Sequence, residues 1–209
     1  MTRGCRSLPE RGDMTTTNPE IPAARDLVHY VQCFDDALKP DFCQRMVESF
    51  NRLSRFHARG GRGGVTQLEE SAWTELNVTK AADASFEAFF REQAMRHLAL
   101  YNERVALTLP IPPRSRLENL RIKRYSVDAG DRFQPHFDAL DYCSNRYMVF
   151  LWYLNDVSEG GETEFCDLGL RIKAQKGRLL MFPPYWMFQH AGLPPRSNDK
   201  YMISTYLLF

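Results

Sequence analysis

Two histidines and an aspartate are the residues of this sequence best suited to metal chemistry. In Gln134-Pro135-His136-Phe137-Asp138 an imidazole and a carboxylate stand two residues apart. Side chains alternate along a strand, so extended backbone turns both to one face, where they can grip the same ion. A third ligand must come from elsewhere, and His190 in Phe188-Gln189-His190-Ala191-Gly192 is the best candidate. Two imidazoles and one carboxylate on one face of an octahedral ion leave three positions for a chelating co-substrate and dioxygen, the pattern of non-haem iron(II) sites. Lys200 follows His190 by ten residues (200 − 190 = 10) and opens the apolar run Tyr201-Met202-Ile203-Ser204-Thr205-Tyr206. An ammonium directed inward from such a strand is costly unless an anion meets it, and a dicarboxylate co-substrate would be that anion.

These residues need a scaffold that brings position 136 beside position 190. From residue 118 onward, Leu120–Tyr125, Arg146–Leu154, Leu170–Ala174, Arg178–Phe182 and Lys200–Phe209 read as short strands. Gly130, Gly160-Gly161, Gly177 and Pro183-Pro184 punctuate them. Strands at this density form a sandwich or barrel that sets early and late strands side by side. Upstream, Leu27–Val31 has the β-branched and aromatic character of a strand. Phe42, Cys43, Met46, Val47, Phe50 and Leu53 recur at helical spacing behind Pro40. His57 to Gly64 reads as a basic, glycine-rich loop, either solvated or gripping an anion. Trp73–Val78 reads as a strand. From Asp83 a helix carries Phe86, Phe89, Phe90, Ala94, His97, Tyr101 and Val105 on one stripe, with His97 a packing residue, until the prolines at 110, 112 and 113.

A chain of 209 residues, 44% hydrophobic and 25% charged, suits one domain. Residues 1–26 read as an unstructured lead-in with Met14 as an alternative start, 27–113 as helical support and 118–209 as the β core. Lysine plus arginine (27) nearly balance aspartate plus glutamate (26), which argues against a nucleic-acid or acidic-membrane partner. No apolar run approaches the roughly 18 residues of a membrane span. Five cysteines with no close pair suggest neither a disulfide framework nor structural zinc, and point to reduced thiols in the cytoplasm.

Four stretches together resemble the prolyl 4-hydroxylase-like branch of the iron(II)/2-oxoglutarate oxygenases. They are Arg124-Tyr125 leading to Pro135-His136-Phe137-Asp138; Tyr153-Leu154-Asn155-Asp156 with Glu159-Gly160-Gly161-Glu162-Thr163; Lys176 to Phe182; and His190 with Lys200. The resemblance covers about Leu120 to Phe209. It implies an α+β, mainly β fold: a double-stranded β-helix, or jelly roll, with N-terminal helices packed on the outside. It implies iron(II) on His136, Asp138 and His190, and 2-oxoglutarate paired through its distal carboxylate with Lys200. Tyr125 matches a tyrosine lining the co-substrate pocket. Tyr153 shares parity with Val149 and Leu151, so its phenol faces inward, either toward that carboxylate or as ordinary aromatic core.

The activity implied is hydroxylation of an unactivated C–H bond with dioxygen, releasing succinate and carbon dioxide, with ascorbate as a reductant. Substrates left open are a peptidyl proline, a free amino acid and a small metabolite. The linker Met187 to Asp199 departs from the family in carrying no peptide-docking signature. Trp73, Arg132, Asp141, Tyr142, Tyr185 and Trp186 are candidate substrate contacts near the mouth. A cupin-type metal-binding jelly roll without 2-oxoglutarate, which would have no need of Lys200, and a non-catalytic binding module are the competing readings.

Overall fold

The computed structural model describes residues 26–61, 67–113 and 116–209. The lead-in expected before Asp26, with Met14, lies outside them, as do residues 62–64 of the basic loop. Among the described residues two helices, α1 (Pro40–Arg52) and α2 (Ala84–Val105), accompany eleven strands. The strands are β1 (Gln32–Phe34), β2 (Ala58–Gly61), β3 (Ala72–Asn77), β4 (Arg121–Tyr125), β5 (Phe133–His136), β6 (Arg146–Tyr153), β7 (Thr163–Phe165), β8 (Leu170–Ile172), β9 (Leu179–Phe182), β10 (His190–Gly192) and β11 (Lys200–Leu208). Seven form one antiparallel sheet in the order β1-β9-β6-β11-β4-β3-β2, and β5-β10-β7-β8 form the facing sheet. This is the jelly roll, with both helices on the outer face of the larger sheet.

Central strands with both faces buried make this layering possible. Along β6, Met148, Phe150 and Trp152 pack under the helices against Phe50, Phe90 and Leu98. Val149, Leu151 and Tyr153 alternate to the inter-sheet side, beside Phe165, Phe182 and Tyr206. Strand β11 does the same, with Ile203 and Leu207 toward the helices and Met202 and Tyr206 inward. Asp83 caps α2 by accepting from the N–H groups of Ser85 and Phe86. His97 is a buried packing residue whose Nδ1 lies 2.7 Å from the Gln93 carbonyl.

Three expectations are corrected. Leu27–Tyr30 is a 3-10 turn rather than a strand, because the Asp26 carboxylate accepts from the Val28 N–H and local capping outweighs the β-branched composition. Part of the basic loop is strand β2, paired with β3. Its Arg59 grips the buried Asp131 carboxylate with two hydrogen bonds, so this cation is a structural tie. Thr163–Phe165, not among the strands expected, is β7, beside β10. The tight turn expected at Gly177 is present: φ is +82° and a Cβ there would lie 2.5 Å from the Leu38 carbonyl oxygen. Among the described residues no helix is long and apolar enough to cross a membrane.

Trp152 is fully buried, edge-on to Phe90 at 5.2 Å and stacked on Phe150 at 5.7 Å. Truncating it removes the joint between helices and sheet. Trp152→Ala is expected to lower unfolding stability by about 3–5 kcal/mol, measured by urea denaturation.

Candidate metal centre

In the smaller sheet His190 of β10 is the direct register partner of His136 of β5. The two rings stand 4.3 Å apart, centroid to centroid. Strand β5 ends at His136, so Asp138 lies past the ladder, in a turn held by its own N–H and that of Ala139 donating to the Pro184 carbonyl. The two ligands expected to share a strand face thus meet through a turn. One donor atom each from His136, Asp138 and His190 lies within 4.8 Å of the others.

The rings have the form that a metal ligand needs. Each Nδ1 faces a backbone carbonyl, that of Gln134 at 2.8 Å for His136 and that of Phe188 at 3.1 Å for His190. A proton on Nδ1 leaves Nε2 with its lone pair toward the cluster. Burial, then the neighbouring His190, pushes the His136 pKa down to about 3, and burial lowers that of His190. Both rings are therefore neutral at pH 7, the form that binds metal. Burial favours the neutral acid of Asp138. The two imidazoles, Arg146 and the Tyr206 hydroxyl outweigh it and hold the carboxylate below its ordinary range. Two neutral imidazoles and one carboxylate fit a divalent ion of the iron type.

Two cavities meet at this cluster. The narrower is lined by His136, Asp138, His190, Tyr125, Thr163 and Lys200, among others. Lys200 is 1% exposed and is the register partner of Tyr125, with Nζ 5.3 Å from the Tyr125 ring and 5.5 Å from that of Tyr153. Burial draws its pKa down to about 7. Tyr153 reaches this cavity indirectly, its hydroxyl lying 2.8 Å from Thr163 Oγ1. The outer cavity, of about 330 Å³, shares Lys123, Phe133, Asp138 and Tyr206 with the first, and adds Glu75, Glu118, Arg121 and Arg146.

Of the expected substrate contacts, Trp73 and Tyr142 line the outer cavity, and Asp141 lines a smaller hollow at the rim beside His136. Arg132 instead pairs with Glu70, Tyr185 packs on the helix-side core, and Trp186 is exposed. Lys123, Arg146 and Tyr206 went unnoticed in the sequence. Parity was the available signal for two of them: Lys123 shares it with Tyr125, and Tyr206 with Lys200.

Residues 120–208 match the family model of the 2OG-Fe(II) oxygenase superfamily. A probable prolyl 4-hydroxylase 9 of Arabidopsis thaliana is 29% identical over 196 residues, covering 79% of this chain and 64% of its own length. The chain thus spans less than two thirds of that relative. The fold superposes on the viral collagen prolyl hydroxylase vCPH of Paramecium bursaria Chlorella virus-1, solved as a 2OG complex (TM-score 0.57, 19% identity, 85% of this chain, 94% of that one). It also superposes on a prolyl hydroxylase from Trichoplax adhaerens in complex with a hypoxia inducible factor peptide fragment (TM-score 0.63, 13% identity, 86% and 84%).

If the three side chains form one metal centre, Asp138→Ala should weaken metal binding by more than ~100-fold, beyond what loss of a mere supporting partner costs. Equilibrium dialysis against cobalt(II) reads this, with far-UV circular dichroism expected to be unchanged. Stoichiometric metal in the variant would refute the assignment.

Proposed function

We propose, from the match of residues 120–208 to the 2OG-Fe(II) oxygenase superfamily model, that this chain is a dioxygenase hydroxylating an unactivated C–H bond of a polar substrate. The observation that carries the reading is the meeting of two cavities at Asp138 of the His136–Asp138–His190 cluster, one reaching a buried lysine and the other walled by charge. In this reading the three side chains hold iron(II), and Lys200 pairs with the distal carboxylate of 2-oxoglutarate. Iron(II), with dioxygen and 2-oxoglutarate, supplies the oxidising chemistry that releases succinate and carbon dioxide and leaves a hydroxyl on the substrate, with ascorbate as a reductant.

The protein's own contribution is placement and dryness. Thr163 lines the same cavity as Lys200, held by the Tyr153 hydroxyl, and in this reading its own hydroxyl offers the carboxylate a second contact. The Tyr125 ring closes the side. Away from water each of these contacts is stronger than at a surface. A cupin-type metalloprotein would leave the buried Lys200 without a role.

Glu75, Arg121, Lys123 and Arg146 in the outer wall favour a substrate with polar or charged groups, and the volume suits a small molecule or a single residue. A free amino acid or small polar metabolite fits this best. A peptidyl residue is the second reading, favoured by Leu140 and Tyr142, exposed at the rim beside His136. Product mass spectrometry after incubation with iron(II), 2-oxoglutarate and candidate substrates distinguishes them by the gain of one oxygen.

Two tests centre on Lys200. Removing one partner of a buried charge pair costs about 2–5 kcal/mol, at least ~30-fold in affinity. Lys200→Ala should therefore raise the 2-oxoglutarate concentration at half-saturation by at least ~30-fold, with metal affinity nearly unchanged, and Lys200→Arg should retain part of the function. A shift below about threefold in the alanine variant would assign the carboxylate to another residue. The second test is pH. The free ammonium loses its proton as pH rises through about 7, and an incoming dianion restores it. Co-substrate binding at pH 8 should take up a proton and weaken as pH rises further, measured calorimetrically in buffers of different ionisation enthalpy.

A further inference from the structure

Asp138 lies in a turn beyond β5, so the sheet does not fix its carboxylate; side chains from the facing sheet do. The Tyr206 hydroxyl, buried on β11, donates to Asp138 Oδ1 at 2.8 Å. Oδ2 lies 3.4 Å from His190 Nε2, while Oδ1, which carries the Tyr206 hydrogen bond, lies 3.8 Å from His136 Nε2. Arg146 stands over the Tyr206 ring, its guanidinium carbon 3.7 Å from the centroid. Two of its nitrogens hold both oxygens of Glu118 at 2.6 Å, and Nη1 donates to the Asp138 backbone carbonyl at 3.2 Å. Glu118, Arg146 and Tyr206 thus form a brace ending on a single carboxylate oxygen.

A carboxylate can bind an ion through one oxygen or both. Binding through both would consume one of the three positions that a co-substrate and dioxygen need together. A hydrogen bond from a buried hydroxyl to an ionised oxygen is among the strong ones. A cation over the phenol ring draws electron density from the hydroxyl and makes it a better donor.

We infer that Tyr206, backed by Arg146, is a positioning residue that ties up Asp138 Oδ1 and so keeps Asp138 a one-oxygen ligand, preserving the open positions of the metal centre. This rests on the reading of the triad as a metal site. Sequence hides the device because a tyrosine in an apolar final strand looks like core.

Cobalt(II) tests this without turnover, since its visible spectrum reports coordination number. Spectra are recorded for the unaltered protein, Tyr206→Phe and Arg146→Met, with and without 2-oxoglutarate. Tyr206→Phe keeps the ring and should fold. Its cobalt spectrum is expected to shift toward higher coordination, and its 2-oxoglutarate affinity to fall about tenfold, the scale set by loss of a hydrogen bond to a charged acceptor. Arg146→Met should show the same spectral change to a smaller degree. Spectra of both variants that match the unaltered protein would overturn the inference. If the unaltered protein binds cobalt but does not respond to 2-oxoglutarate, the co-substrate reading itself fails, a separate result.

Discussion

The antiparallel pairing of β5 with β10 is the constraint on which the site depends. It sets His136 opposite His190, just before the register shifts toward Gly192. The chain visits these strands 54 residues apart (190 − 136 = 54), and the intervening β6 and β9 lie in the other sheet. A two-residue motif and a distant histidine become one centre only because the jelly roll closes in that order. The larger sheet repeats the device: β4 pairs with β11 and sets Tyr125 opposite Lys200, across the inter-sheet space from the histidines.

Charge inside this space is costly, and the neighbours say how the cost is met. Asp138 is offset by Arg146 and Tyr206, Asp131 by Arg59 and by the Ser126 N–H, and Glu75 by Arg121 and the Trp73 indole. Each of these groups sits within hydrogen-bonding or ion-pair reach of a partner supplied by the protein. Lys200 is different: its depressed pKa records burial that Glu162 only partly compensates, with Lys123 opposing. A group that bears such a penalty in the free protein gains most when an anion arrives. Lys200 can thus be told apart from the paired charges by how incompletely its own is answered.

Much of the fold was legible because the apolar runs are long and unbroken in the strands that matter. Arg146–Leu154 and Lys200–Phe209 carry apolar residues on both parities, the mark of strands covered on both faces. The stripe from Phe86 to Val105 fixed the second helix. Short edge elements were less legible: Leu27–Tyr30 has strand composition but is turned by the carboxylate of Asp26, a contact of two residues' range that hydrophobic pattern does not register. Strands β2 and β7 are three or four residues long and rest on tertiary pairing rather than propensity.

The candidate metal ligands were readable as residue types, but their geometry was not. The parity rule that placed His136 and Asp138 on one face assumed a strand through residue 138, whereas the ladder stops at His136. They converge nonetheless, because the Pro184 carbonyl, Arg146 and Tyr206 fold the turn back over the cluster. A ligand held by such a brace rather than by a ladder can be adjusted without disturbing strand register. Residues on β6 and β11 that face the cluster can therefore shift the Asp138 carboxylate while the fold that supports it stays fixed. The histidines carry the converse property: each is fixed by its own carbonyl and by register, and any change that moves one must also move the sheet.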